Sequence, residues 1–150
     1  MRLTIRTDIA MRALMYCALN EDTLVRRTDI AERCNTSPNH LAQVVHALAQ
    51  RGFLATLRGR GGGIRLARPA NEISVGAVFR ALEGEVPFTE CFDTCADGRA
   101  DACPIRGLCP LHRSIEGALG AFYGYLDRIT LADLVAGQDG MRQLLGVRPA

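Results

Sequence analysis

The chain has 150 residues, 48% of them apolar, and its 18 basic residues are all arginines, set against 16 acids for a net charge of +2. That length suits one domain, or a small domain with an attachment, and buries enough surface on folding to need no covalent staples. No stretch is apolar enough to span a bilayer, and residues 1–8 carry charges where a secretory leader has an apolar run, so a cytoplasmic protein without a membrane partner is expected.

Taken in chain order, Thr7 offers a cap for a first helix over 8–20, with Ile9, Ala13, Leu14, Tyr16 and Cys17 as its apolar positions. Asn20-Glu21-Asp22 ends it, and a short helix follows over 27–34, burying Ile30 and Ala31. Ser37-Pro38 is the clearest helix start in the chain, because the serine oxygen accepts from an orphan N–H and proline at the first position gives up a donor that had no partner. Leu41, Val44, Val45 and Leu48 then mark one helical face, and Gly52 closes the helix.

A hairpin comes next: Phe53–Leu57 as one strand, Arg58-Gly59-Arg60-Gly61-Gly62-Gly63 as its tip, and Ile64–Ala67 as the return, with Pro69 closing it. Ser74 caps a helix over 75–83 whose apolar side is Val75, Val78, Phe79 and Leu82. The longest helix spans about 111–128, with a stripe of Leu111, Ile115, Ala118, Leu119, Phe122, Leu126 and Ile129. Thr130 with Asp133 forms a capping box for a last short helix, and the residues from 137 onward read as loosely held. The expected fold is therefore mainly α with a small β hairpin.

Charge divides the chain. Residues 1–68 sum to +6 and residues 69–150 to −4, as a polyanion-facing half joined to a half with another task would. In the basic half, two helices joined by a short turn and followed by an arginine-tipped hairpin have the order of a winged helix-turn-helix. The exposed side of its second helix carries Asn39, His40, Gln43 and His46 beyond Ser37, compact hydrogen-bonding groups suited to base edges. Arg58, Arg60 and Arg65, with Gly61 and Gly62 between them, suit a close approach to the sugar–phosphate backbone or a narrow minor groove. The glycine run is not a nucleotide-phosphate loop, since no helix and no Gly-Lys-Ser/Thr follows it.

In the acidic half, Cys91, Cys95, Cys103 and Cys109 fall within a polar segment that cannot pack by itself. In a reducing compartment such a cluster binds a metal or an iron–sulfur group rather than forming disulfides. Cys91 and Cys95 fit structural zinc, whereas Cys103 and Cys109 stand too far apart for it, and iron–sulfur ligation tolerates looser loops. Cys17 and Cys34 lie on helices and read as small buried apolar residues. Neither a Ser/His/Asp set nor a carboxylate pair offers hydrolytic chemistry, so no enzyme is expected; a small electron carrier would share the cysteines but has no use for an arginine wing.

Several segments together identify a resemblance: Met1-Arg2-Leu3-Thr4, Thr7-Asp8, Arg12-Ala13-Leu14, Ile30-Ala31-Glu32, Asn39-His40-Leu41, Val44-Val45-His46, the run from Arg58 to Leu66, Glu90-Cys91-Phe92, Cys103-Pro104-Ile105, Cys109 and Thr130–Val135. Over residues 1–135 the chain resembles the winged-helix iron–sulfur transcriptional regulators of the Rrf-two type, the family of NsrR, IscR and RirA, and most of all its NsrR branch of nitric-oxide-sensitive repressors.

The resemblance implies a winged helix-turn-helix DNA-binding domain over 1–70, a connecting helix over 71–87, a cysteine-rich cluster loop over 88–110, a dimerisation helix and short terminal helix over 111–135, and a flexible tail over 136–150. It implies a homodimer on a palindromic double-stranded DNA operator, released when nitric oxide damages one cluster per subunit. Cys91, Cys103 and Cys109 stand where the family's three thiolate ligands belong, and Asp8 matches the carboxylate that the partner subunit supplies; without the resemblance, Asp8 would be a first-turn acid favoured by the helix dipole. A 4Fe-4S cluster is preferred and a 2Fe-2S cluster is the alternative. The loop between Cys91 and Cys103 is longer than is usual in the NsrR branch and contains Cys95, which is a ligand, an alternative ligand or a bystander. His112, three residues after Cys109, stands where the IscR branch has a histidine ligand, and reporting iron or cluster supply in the RirA and IscR manner is the competing function.

Overall fold

Helix α1 (Ile5–Leu19) is the spine of the fold, and it is apolar on nearly every side: Ala10, Ala13 and Leu14 are fully buried, with Ile9, Tyr16, Cys17, Ala18 and Leu19 close to it. The computed structural model describes residues 3–21, 23–84, 89, 92, 104–105 and 108–147. The start of α1 differs from the sequence expectation. Thr4, not Thr7, is the N-cap, its hydroxyl accepting from the Thr7 amide at 3.3 Å. Thr7 becomes an interior helical residue and, among the described residues, is the one polar side chain buried in the core. A second capping threonine three residues upstream, itself held from outside the helix, moves the boundary.

Helix α2 (Arg27–Arg33) buries Ile30 and Ala31, and a turn through Asn35, at φ +47°, leads to α3 (Pro38–Gln50), on which α2 packs. Ser37 caps α3 as expected, accepting from the His40 amide at 3.2 Å, with Pro38 in the first turn. Leu41 and Leu48 are fully buried and Val44 and Val45 nearly so, each such side chain stabilising the fold by roughly 1.5–3 kcal/mol. Gly52, at φ +72°, releases the chain from the helix into β1 (Leu54–Leu57).

Strands β1 and β2 (Gly63–Leu66) pair antiparallel, in register from Leu54 opposite Leu66 to Leu57 opposite Gly63. Strand β1 is a residue shorter than its sequence pattern, since Phe53 packs in the core with its amide on the Leu48 carbonyl at 2.9 Å, and β2 keeps its expected length but begins one residue earlier, at Gly63. Val25 exchanges both backbone hydrogen bonds with Ile64, at 2.9 and 2.8 Å, which ties the hairpin to the segment ahead of α2.

After a single 3-10 turn at Ala70–Glu72, Ser74 caps α4 (Val75–Glu83), which buries Val75, Val78, Phe79 and Leu82. Helix α5 (Pro110–Leu126) lies on α4, and the Thr130–Asp133 capping box starts α6 (Leu131–Val135). Arg80 forks onto the carboxylate of Asp127, and backbone bonds from Val75 to Ile129 and from Leu131 to Ile73 fasten α5 and α6 to α4 and the turn before it. No residue of α5 is fully buried, and its apolar stripe is only partly covered within the subunit.

The loosely held tail expected over 136–150 is corrected as far as residue 147, and 148–150 lie outside the described residues. Residues Asp139–Leu144 form helix α7, Val147 is buried with the core, Met141 and Leu145 pack against it, and Arg142 donates to the Leu19 carbonyl at 3.4 Å. The apolar residues that achieve this, Met141, Leu145 and Val147, are too few and too widely spaced to register as a periodic pattern.

Candidate functional site

Capping and packing fix the orientation of α3. With Leu41, Val44, Val45 and Leu48 facing inward, Asn39, His40, Gln43 and His46 must all face outward, and all four are exposed, as is Ser37. Arg58, Arg60 and Arg65 are likewise exposed, Arg65 on the outer face of β2 and the other two in the tip. The tip's glycines do different jobs. Gly59 alone sits at positive φ, +109°, where a side chain would strain the turn, while Gly62 lies so near the Leu57 carbonyl that a Cβ would collide with it. Gly61 has open space around it.

The recognition-type helix is not isolated from the rest of the chain. Ile5, Arg6 and Ile9 of α1 and His40, Gln43 and Val44 of α3 line a cleft of about 340 Å³. Arg6 therefore belongs to the polar surface around His40 and Gln43. Nothing in its sequence neighbourhood marks it, because only the packing of α1 on α3 brings it there. Between Arg6 and Ile9 on α1 stands Asp8, its side chain 54% exposed and held by Arg12, which also donates to the Cys34 carbonyl at 2.8 Å.

Of the clustered cysteines, Cys91, Cys95 and Cys103 lie outside the described residues. Cys109 is the N-cap position of α5, half-buried and outside any disulfide, and its side chain makes no capping hydrogen bond to the helix end. His112, in the first turn of the same helix, stacks on Phe92 with centroids 4.3 Å apart and planes inclined by 20°. Among the described residues no three His, Cys, Asp or Glu side chains converge on one point.

Cys17 and Cys34 are of another kind. Both are buried, and burial pushes both thiols up, Cys17 to about 12 with a further contribution from Cys34. Neutral thiols of this sort are packing groups, not metal ligands. By their chemistry, cysteines clustered in sequence and an exposed carboxylate on α1 are donors of the kind that an iron–sulfur group would take.

A capped helix presented outward after a short turn, followed by an arginine-tipped hairpin, defines a winged-helix transcription regulator. Among solved structures the chain is similar to T. potens IscR, at 25% identity and a TM-score of 0.71, over 93% of this chain and 90% of that one. It belongs to the Rrf2 family of iron-dependent transcriptional regulators, whose model matches residues 3–137, and it is a regulator rather than an enzyme. It is 38% identical to the HTH-type transcriptional regulator NsrR of Bacillus licheniformis over 97% of this chain and 99% of that protein. It is also 38% identical to the HTH-type transcriptional repressor NsrR of Streptomyces coelicolor, over 93% and 92% respectively. None of the described helices is long and apolar enough to cross a membrane.

Proposed function

We propose that the chain is a homodimeric repressor that grips a palindromic operator while it carries an iron–sulfur cluster and lets go when nitric oxide damages that cluster. The observation that carries this proposal is the shared cleft. The helix turn that bears Asp8 packs directly against the recognition-type helix through Ile5, Arg6 and Ile9. A bond made to Asp8 would act on the same turn of α1 that lines the cleft with His40 and Gln43.

In this proposal Ser37, Asn39, His40, Gln43 and His46 face base edges and backbone in the major groove. Arg58, Arg60, Arg65 and the glycines Gly61 and Gly62 follow the phosphates beside it. The partly covered stripe of α5, with Ile115, Leu119, Phe122 and Leu126 only half-buried and Leu111 and Tyr125 largely exposed, pairs with the same stripe of a second subunit. Two α3 helices then stand about one duplex turn apart, roughly 34–36 Å.

Cys91, Cys103 and Cys109 would hold the cluster, 4Fe-4S in preference to 2Fe-2S, with Asp8 of the partner subunit completing the set. When bound, the cluster supplies iron that nitric oxide attacks. Asp8 would offer it a weak, exchangeable oxygen donor. Arg12, already paired with Asp8, would hold the carboxylate whenever it is not bound to the cluster, leaving α1 of one subunit free of the cysteines of the other. The two readers then no longer match their half-sites, a local change of bonding that biases a dimer with two arrangements.

The family's description as iron-dependent favours a second reading of the same scaffold, in which iron or cluster supply rather than nitric oxide is the signal. In that form Cys95 or His112 completes the ligand set. Operator binding by anaerobically purified protein, measured under iron depletion and under nitric oxide titration side by side, separates the two. Loss under nitric oxide with cluster-loaded protein otherwise stable supports the first, and loss only on iron withdrawal supports the second.

A further inference from the structure

A contact spanning 79 residues of sequence closes the start of α1. The Glu83 carboxylate, at the last position of α4, accepts from the Thr4 amide at 2.9 Å and from the Thr4 hydroxyl at 2.8 Å. The Thr4 hydroxyl in turn lies 3.2 Å from that of Thr7, which is fully buried and also bonds to Glu83. Burial works against ionisation of Glu83, but the hydrogen bonds from Thr7 and Thr4, with the nearby charge of Arg6, outweigh it and hold the carboxyl below its ordinary range. The carboxylate is thus charged at neutral pH, and hydrogen bonds to a charged acceptor are the strong ones.

Position makes this contact more than a helix cap. Glu83 stands at the chain's entrance to the cysteine segment, eight residues ahead of Cys91. Thr4 and Thr7 bracket the turn whose Ile5 and Arg6 line the cleft with His40 and Gln43, and the Asp8 amide donates to the Thr4 carbonyl at 3.2 Å. One turn of α1 is therefore held at one end by the segment that leads to the cysteines and packs at its side on the DNA-facing helix. We propose that Glu83 is a positioning residue for DNA binding, through which the cysteine segment of a subunit sets the first turn of its own α1 and, through that turn, the tilt of its own α3. This rests on the proposed function for the existence of a cluster-dependent affinity, and it adds a route within the subunit to the one between subunits that Asp8 provides.

The test compares full-length wild type, Glu83→Gln and Glu83→Ala, each cluster-loaded and cluster-free, by operator affinity at fixed salt, visible spectrum, thermal midpoint and amide hydrogen exchange over residues 5–9. The expected result is that Glu83→Ala keeps the cluster spectrum but narrows the ratio of loaded to cluster-free affinity tenfold or more, with Glu83→Gln between it and wild type. Exchange over residues 5–9 should rise in the cluster-free Glu83→Ala protein to at least tenfold above wild type. An unchanged affinity ratio, with or without a lower thermal midpoint, would make Glu83 a cap and nothing else, and so would a narrowed ratio accompanied by loss of the cluster spectrum. If wild type itself shows no difference between its loaded and cluster-free forms, the proposed function fails. Hydrogen exchange then decides alone whether Glu83 holds the turn, and wild-type exchange in Glu83→Ala would overturn it.

Discussion

Arg12 reaches back one helical turn to pair with Asp8 and forward to the carbonyl oxygen of Cys34, so a single guanidinium joins the exposed acid of α1 to the end of α2. Arg12 thus holds the Asp8 carboxylate at rest, where it is exposed enough for a second subunit to take it. Replacing Asp8 by Asn should leave the fold intact, since the side chain is half in solvent and exposed pairs are worth at most about 1 kcal/mol. Operator affinity of the cluster-loaded dimer should drop about tenfold, roughly 1.4 kcal/mol, with a changed visible spectrum. A wild-type spectrum and affinity in Asp8→Asn would remove Asp8 from the ligand set.

The wing is expected to act through charge. Arg60 is exposed, at the tip of the hairpin, so its removal costs the fold nothing that packing would reveal. Arg60→Ala should weaken binding to operator and unrelated duplexes alike and reduce the slope of log affinity against log salt by about one. Fluorescence anisotropy over a salt series measures both, and a slope equal to wild type would place the tip away from the phosphates.

Wherever structure depends on neighbours in sequence, the chain could be read. Ser37 and Ser74 cap the helices they precede, the capping box at Thr130 is present, and the inward faces of α3 and α4 are the apolar positions their spacing implied. The misreadings share a cause. Thr7 looked like a cap because Thr4's support comes from Glu83, 79 residues away. The pairing of Val25 with Ile64 and the docking of α7 on the core are equally remote contacts made by segments with no periodic signal of their own. The exposed polar residues of α3 were legible because they are what remains when its apolar face turns inward, whereas Arg6 joins them only through packing.

The cysteines fall into two chemical classes that a thiol reagent should separate. Burial keeps Cys17 and Cys34 protonated, with Cys17 pushed to about 12, so neither offers thiolate at pH 8 in the folded protein. Cys109 is half-buried and makes no cap hydrogen bond. Iodoacetamide treatment of cluster-free protein followed by peptide mass mapping should label Cys109 well before Cys17 or Cys34. Equal labelling of all three would mean that α1 and α2 open in the cluster-free state.

Stability should show an acid limb traceable to Glu83. Its folded value lies below its unfolded value of about 4.5, so the stabilisation is complete above 4.5 and is lost as pH falls through the lower folded value. Urea unfolding of wild type and Glu83→Gln, at one protein concentration, should differ by a constant amount from pH 8 to pH 6. The two curves should converge in acid, and a gap that widened on acidification would reverse the assigned sign.

The dependence of DNA grip on iron–thiolate bonding is exposed most plainly by one titration. Anaerobically purified protein, with iron and sulfide counted, is split into cluster-loaded, nitric-oxide-treated and cluster-free portions, and each is titrated against operator duplex at the same salt. The loaded dimer should bind at least a hundredfold tighter than either of the others. A colourless, iron-free portion that binds the operator as tightly as the loaded one would contradict the proposed function.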